Sequence, residues 1–106
     1  MMDSLEKLIA AVVLSQNTLD PDLFISLFDP TLRNSVDPEK IREFQQDMQQ
    51  AFGQMQDPVP LASLTKNGAP WILYTVRFSA SQSDFLLSIL LKDASPSPQA
   101  LAIHIS

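Results

Sequence analysis

Apolar residues recur with the spacing of a helix in the first half of the chain and with the spacing of a strand in the second. Leu5, Leu8, Ile9, Val12 and Val13 fall at i, i+3, i+4, i+7 and i+8, one face of an α-helix. Asp3 or Ser4 can cap its start, and Ser15-Gln16-Asn17-Thr18 ends it. Asp20-Pro21-Asp22 opens a second, short helix with the stripe Leu23, Phe24, Leu27 and Phe28. Asp20 can accept from the first free N–H groups, and Pro21 suits the first helical position because its missing donor would be unpaired there. Pro30 stops this helix, since the residue before a proline is pushed out of the α region. Asp37-Pro38-Glu39 repeats the start signal, and a third helix is expected to run to about Met55. Ile41, Phe44, Met48, Phe52 and Met55 share one of its faces, with glutamines on much of the rest.

After residue 58 the period becomes two. Runs 59–66 and 69–79 flank Asn67-Gly68, the strongest short hairpin signal, because both central residues of a type I′ turn want positive φ. Runs 84–92 and 99–106 follow, separated by a loop rich in serine and proline. Four antiparallel strands in chain order are expected. The fold class is therefore α+β, one domain over 1–106: three N-terminal helices on a four-stranded meander, with a helical half 1–57 and a β half 58–106.

Alternation splits each strand between two faces. One face collects Leu61, Ile72, Tyr74, Val76, Phe78, Phe85, Leu87, Ile89, Leu91, Leu101, Ile103 and Ile105, and should lie under the helices. The other collects Ala62, Leu64, Trp71, Leu73, Thr75, Arg77, Leu86, Ser88, Leu90, Lys92, Ala100, Ala102 and His104. A solvated face should be mostly polar. Leu64, Trp71, Leu73, Leu86 and Leu90 instead make an apolar patch that a lone domain rarely exposes. The expected cover is a second copy in a two-fold dimer, with Leu64, Trp71, Leu73, Arg77, Leu86, Leu90 and His104 at the interface. The alternative is that some of these residues sit at edges or under loops.

Composition narrows the chemistry. The 106 residues are 45% hydrophobic, enough for an ordinary core, and only 18% charged, below the usual share of about a quarter. With no cysteine, disulfides, thiolate nucleophiles and Cys-based metal sites are excluded. Net charge is −5, with ten acids and four bases up to residue 57 and two acids and three bases beyond it. An acidic helical half disfavours nucleic acid, because neutralising phosphates requires clustered Lys or Arg. The apolar run 8–14 lacks the flanks of a signal peptide, and no stretch approaches the length of about 20 residues that a membrane span needs. A cytoplasmic location is expected.

No motif commits the chain to a reaction. His104 is the sole histidine, with no second one to share a metal. Asp20/Asp22 and Asp37/Glu39 bracket prolines at helix starts, where capping is the expected role, and Glu43/Asp47 form a solvated i, i+4 pair. Arg77 could hold a carboxylate or phosphate, or pair with an acid across the dimer. Tyr74, together with Phe52 and Met48, could line a small pocket between the third helix and the sheet. No cofactor and no metal are expected.

The segments Leu27-Phe28-Asp29-Pro30-Thr31-Leu32-Arg33, Val36-Asp37-Pro38-Glu39-Lys40-Ile41 and Phe52-Gly53 resemble small domains of unknown function in the nuclear-transport-factor-2-like, cystatin-like superfamily. The resemblance covers residues 19–57. It implies a curved antiparallel sheet wrapping a long helix in a reduced cone, often with dimers formed through the sheet. Enzymes of that superfamily use an Asp, His or Tyr inside the cone, but no catalytic residue carries over. The hairpin that larger members place before the long helix is missing, which implies a shallower cone.

The leading expectation is a non-enzymatic association or small-ligand-binding domain, a homodimer whose partner is a protein or a small apolar molecule. A second is a small cone-fold isomerase or dehydratase using Tyr74 and an acid borne on a helix. A third is an acidic dimeric chaperone for a secreted protein.

Overall fold

The computed structural model describes residues 4–92 and 98–106. Four helices precede four strands: α1 (Ser4–Asn17), α2 (Pro21–Ser26), α3 (Pro30–Arg33), α4 (Pro38–Phe52), β1 (Met55–Lys66), β2 (Ala69–Phe78), β3 (Phe85–Leu91) and β4 (Ala100–Ile105). The strands form one antiparallel sheet in the order β1-β2-β3-β4. The α+β meander is thus as expected, with one helix more. The cap suggested for Asp3 and the loop at 93–97 lie outside the described residues.

Local signals explain most of the element boundaries. The Asp20 side chain accepts from Leu23 N–H at 3.1 Å and that of Asp37 from Glu39 N–H at 3.0 Å, each directly before a proline. Asn67 and Gly68 take φ of 52° and 82°, and Lys66 pairs with Ala69 across the turn. Pro30, expected to stop the second helix, lies four residues beyond its end at Ser26 and instead opens α3. Asp29 before it is extended, with ψ 132°, and Pro30 becomes the first residue of α3.

The long helix stops earlier than its apolar spacing suggests. Gly53 adopts φ 85° and ψ −146°, a conformation open only to glycine, and swings the chain out of the helix. Met55 therefore opens β1, where it is buried, rather than ending α4. Pro58 and Pro60 lie inside β1, which is tolerable because β1 is an edge strand.

The core lies between α1 and the inner sheet face. Leu8, Ile9 and Val12 meet Ile72, Tyr74, Val76, Phe78, Leu87, Ile89 and Leu91, with Met48, Phe52, Phe85, Ile103 and Ile105 packed against them. Two bulges correct the face assignment. A break between Pro60 and Ala62 leaves Leu61 exposed, and one between Leu90 and Leu91 brings Ala100 opposite Leu91. Ala100 is fully buried on the inner side as a result.

The long helix touches the core less than expected. Its one buried residue is Gln45, whereas Phe44 is 43% exposed. Gln45 faces the end of α1: its side-chain Nε2 donates to Ser15 O at 3.2 Å and Asp20 O at 3.3 Å, and its backbone carbonyl accepts from Gln16 Nε2 at 2.9 Å. The Phe-Asp-Pro-Thr-Leu-Arg stretch also has a structural role. Arg33 Nε donates to Phe28 O at 3.1 Å and its Nη2 to Ser26 O at 2.9 Å, closing the α2–α3 connection.

Candidate functional site

The outer face of the sheet is ordered in rows. One row runs Leu64–Trp71–Leu90–Ala102 across all four strands, and the next runs Ala62–Leu73–Ser88–His104. A third holds Val59, Thr75 and Leu86. The expected pairings of Leu64 with Trp71 and Ala62 with Leu73 are present, because the two-residue turn sets them. Trp71, Leu73, Leu86 and Leu90 are each only half-buried, while Val59 is 54% and Leu64 46% exposed.

Charge on this side is confined to its ends. The Lys66 ammonium lies 5.4 Å from the centre of the Trp71 ring, a cation–π contact at the hairpin end. At the opposite end Arg77 Nε donates to Asp84 Oδ1 at 2.9 Å, with both side chains more than half exposed. Arg77 was expected to reach an anion or an acid across a dimer; its partner in the structure is an acid of its own chain. The β2–β3 connection is short, so the two ends meet. Lys92, expected on this face, reaches instead to Asp29 Oδ1 at 3.4 Å. His104 is exposed at the end of the second row.

The three pocket candidates do not come together. Phe52 joins Phe78 and Phe85 in a ring cluster with centroids 4.8–5.9 Å apart, which fills the space beside the end of α4. Met48 packs against the core beside it. Tyr74 lies under α1 instead, where it lines a groove of about 290 Å³ with Glu6, Ile9, Ala10, Pro58 and Pro60. A second groove of about 240 Å³ runs past the Leu61 bulge and shares Pro60 and Tyr74. Sequence periodicity placed the long helix over Tyr74, but the two helices share the sheet, and α1 has the more continuous apolar face.

One ionisable group escaped the sequence reading. Asp29 is buried where α2 meets β4, and its Oδ2 accepts from the Thr31 hydroxyl at 2.6 Å. That bond holds its carboxyl below the ordinary value; desolvation opposes the shift and Lys92 adds to it. The sequence signal was present in Asp29-Pro30-Thr31, a side-chain turn motif. Among the described residues, no group of three or more His, Cys, Asp or Glu is placed to hold a metal ion. No helix among them is long and apolar enough to cross a membrane.

No protein-family model matches the chain, and no curated protein matches it in sequence. Among solved structures, it is similar to the solution structure of a SEC-C motif containing protein from Rhodopseudomonas palustris. The two are 16% identical, with a TM-score of 0.61 over 95% of this chain and 77% of the other. At that identity the likeness concerns the fold.

Proposed function

We propose that the chain is an association module that pairs with a second copy of itself through the outer face of its sheet. One observation carries this: Val59, Leu64, Trp71, Leu73, Leu86 and Leu90 stand half-exposed or exposed on three neighbouring strands, and no Lys, Arg, Asp or Glu lies in their rows between the Lys66 and Arg77 ends. Burial of such a surface is favourable. The strands hold 12, 10, 7 and 6 residues, which at about 3.4 Å per residue and about 4.8 Å between strands gives a face on the order of 570 Å². A stable interface buries roughly 800 Å² per partner, so most of this face would be engaged. An uncharged centre suits a two-fold contact, because groups near the axis meet their own copies and like charges there would repel.

The reduced cone of the nuclear-transport-factor-2-like superfamily belongs to the same proposal. It is supported by the bulges of β1 and β4, which bend strands, and by a helix lying on the inner face. The helix in that place is α1 rather than the longer α4.

The test is the mass of the intact chain in solution. Light scattering at micromolar concentration should give twice 11.8 kDa. Leu73→Lys and Leu90→Glu should each return it to the monomer value. A monomer at every concentration, or a dimer indifferent to both substitutions, would overturn the reading.

A second reading has its own observation. Glu6 on α1 and Tyr74 on β2 line one groove, and an acid beside a phenol supports the cone-fold enzyme reading. Turnover of a carbonyl-isomerisation substrate that is abolished by both Glu6→Gln and Tyr74→Phe would favour it over a purely associative role.

A further inference from the structure

The two edges of the sheet are built differently. β1 carries Pro58 and Pro60, two register breaks and Lys66, devices that keep an edge from pairing with other chains. The open part of β4 carries none of them. Ser106 N–H donates to Leu86 O at 2.9 Å and Leu86 N–H to Ser106 O at 2.8 Å. Counting back in twos, the backbone groups of His104 and Ala102 face β3, and those of Ile103 and Ile105 face away from it.

At the start of β4 the outer side is occupied by the chain itself. Ala100 N–H donates to Leu27 O at 2.9 Å and Asp29 N–H to Ala100 O at 3.0 Å, a parallel bridge centred on Phe28 and Ala100. The segment then turns away at Pro30 into α3. A fifth strand is thus begun beside Ala100 and is vacant beside Ile103 and Ile105. Next to the vacancy is a groove of about 400 Å³ lined by Phe24, Phe28, Ile41, Phe44, Ile103 and Ile105. None of the six is fully buried. Lys40 lies on the rim and belongs to none of the ion pairs among the described residues.

The geometry points to β4 as the docking edge for an extended segment of a partner protein, with apolar side chains at alternate positions and an acidic residue set against Lys40. An added strand would bond to the outward groups of Ile103 and Ile105. Its inward side chains would complete the core over Ile41 and Phe44. A second copy fits this edge poorly. The two open positions are symmetric about His104, so a two-fold pairing would set His104 against its own mate. It would also place both helical layers on one side of the joined sheet, with both Lys40 side chains in the seam. A separate acidic segment meets neither obstacle.

The experiment is selection of a displayed random dodecapeptide library on the intact chain. Enriched peptides should alternate apolar and polar residues and carry Asp or Glu. Bound as synthetic peptides, they should slow hydrogen exchange of the Ile103 and Ile105 amides at least tenfold. Lys40→Glu and Phe44→Asp change exposed positions of α4, and each should weaken these peptides at least tenfold. Selection on the Lys40→Glu chain should turn to basic sequences. The inference is overturned if nothing is enriched, if enriched peptides leave the Ile103 and Ile105 amides unprotected, or if both variants bind them as the parent does. Concentration-dependent protection of those two amides in the free chain would assign the edge to a second copy and overturn it as well. None of these readouts depends on dimerisation through the outer face.

Discussion

The side-chain amide of Asn17 acts as a strand partner for Met55. Its Nδ2 donates to Met55 O at 2.8 Å, and its Oδ1 accepts from Met55 N–H at 2.7 Å. Met55 begins an edge strand, so the backbone groups it turns away from β2 have no further strand to bond. The Asn17 backbone carbonyl also accepts from Gln49 Nε2 at 3.2 Å. One residue thereby ties the end of α1 to the last turn of α4 and the start of β1.

Asn17→Ala should therefore be costly for a polar position. It leaves two partly buried backbone groups unpaired, worth about 2–3 kcal/mol together, or a fall in Tm of roughly 10 °C for a chain of this size. Calorimetry measures the first effect. Hydrogen exchange should show the Met55 amide released more than its neighbours, and uniform loss of protection would argue against the clamp.

The two glycines should respond unequally to alanine. A Cβ on Gly53 would meet Ser79 Oγ and lie 3.1 Å from Ala80 N, at φ 85°. Strain and overlap together should cost about 3 kcal/mol or more. Gly68 has open space around it and only its φ of 82° to satisfy, so alanine there should cost about 1 kcal/mol. Denaturant midpoints of the two variants decide it, and equal losses would contradict the role of Gly53 as the helix exit.

Asp29 should make stability depend on pH in the acid range. Its folded pKa is lowered by the Thr31 hydroxyl bond first, with Lys92 contributing. A carboxyl so lowered stabilises the fold above its unfolded pKa of about 3.9 and loses that contribution as pH falls through the lower folded value. Asp29→Asn should thus be less stable than the parent at pH 7, with the gap closing below about pH 4. Urea midpoints at pH 7 and pH 3 test this, and a gap that stays constant would exclude the carboxylate as its source.

Trp71, the sole tryptophan, reports on the outer face. It is half-exposed beneath Lys66 in the single chain. If the face pairs with a second copy, its emission should move to the blue as concentration rises. Leu73→Lys should hold it at the dilute position. Emission independent of concentration in the parent would count against the proposed dimer.

Much of the fold was legible because it is written in neighbouring residues. Asp before Pro marks two helix starts, Asn67-Gly68 marks the hairpin, and alternation marks inner positions from Ile72 to Phe78 and from Leu87 to Leu91. The outer-face pairs Leu64–Trp71 and Ala62–Leu73 follow from the turn, whose length sets which residues meet across it. The pocket reading fared differently: Tyr74, Phe52 and Met48 share an apolar character but not a place. Phe52 met Phe78 and Phe85, and Tyr74 fell to α1, since the helices divide the sheet between them.

The sequence by itself determined the order and kind of every element but α3, the caps of α2 and α4 and the hairpin turn, because each depends on backbone preferences over a few residues. Tertiary structure decided where Gly53 leaves the helix, which way Leu61 and Ala100 turn at their bulges, why Gln45 is buried and where a fifth strand is begun and left open. Those outcomes rest on contacts between residues far apart in the chain, such as Gln45 with Ser15 and Ala100 with Leu27. Periodicity carries no record of them, because it describes a face and not what the face meets.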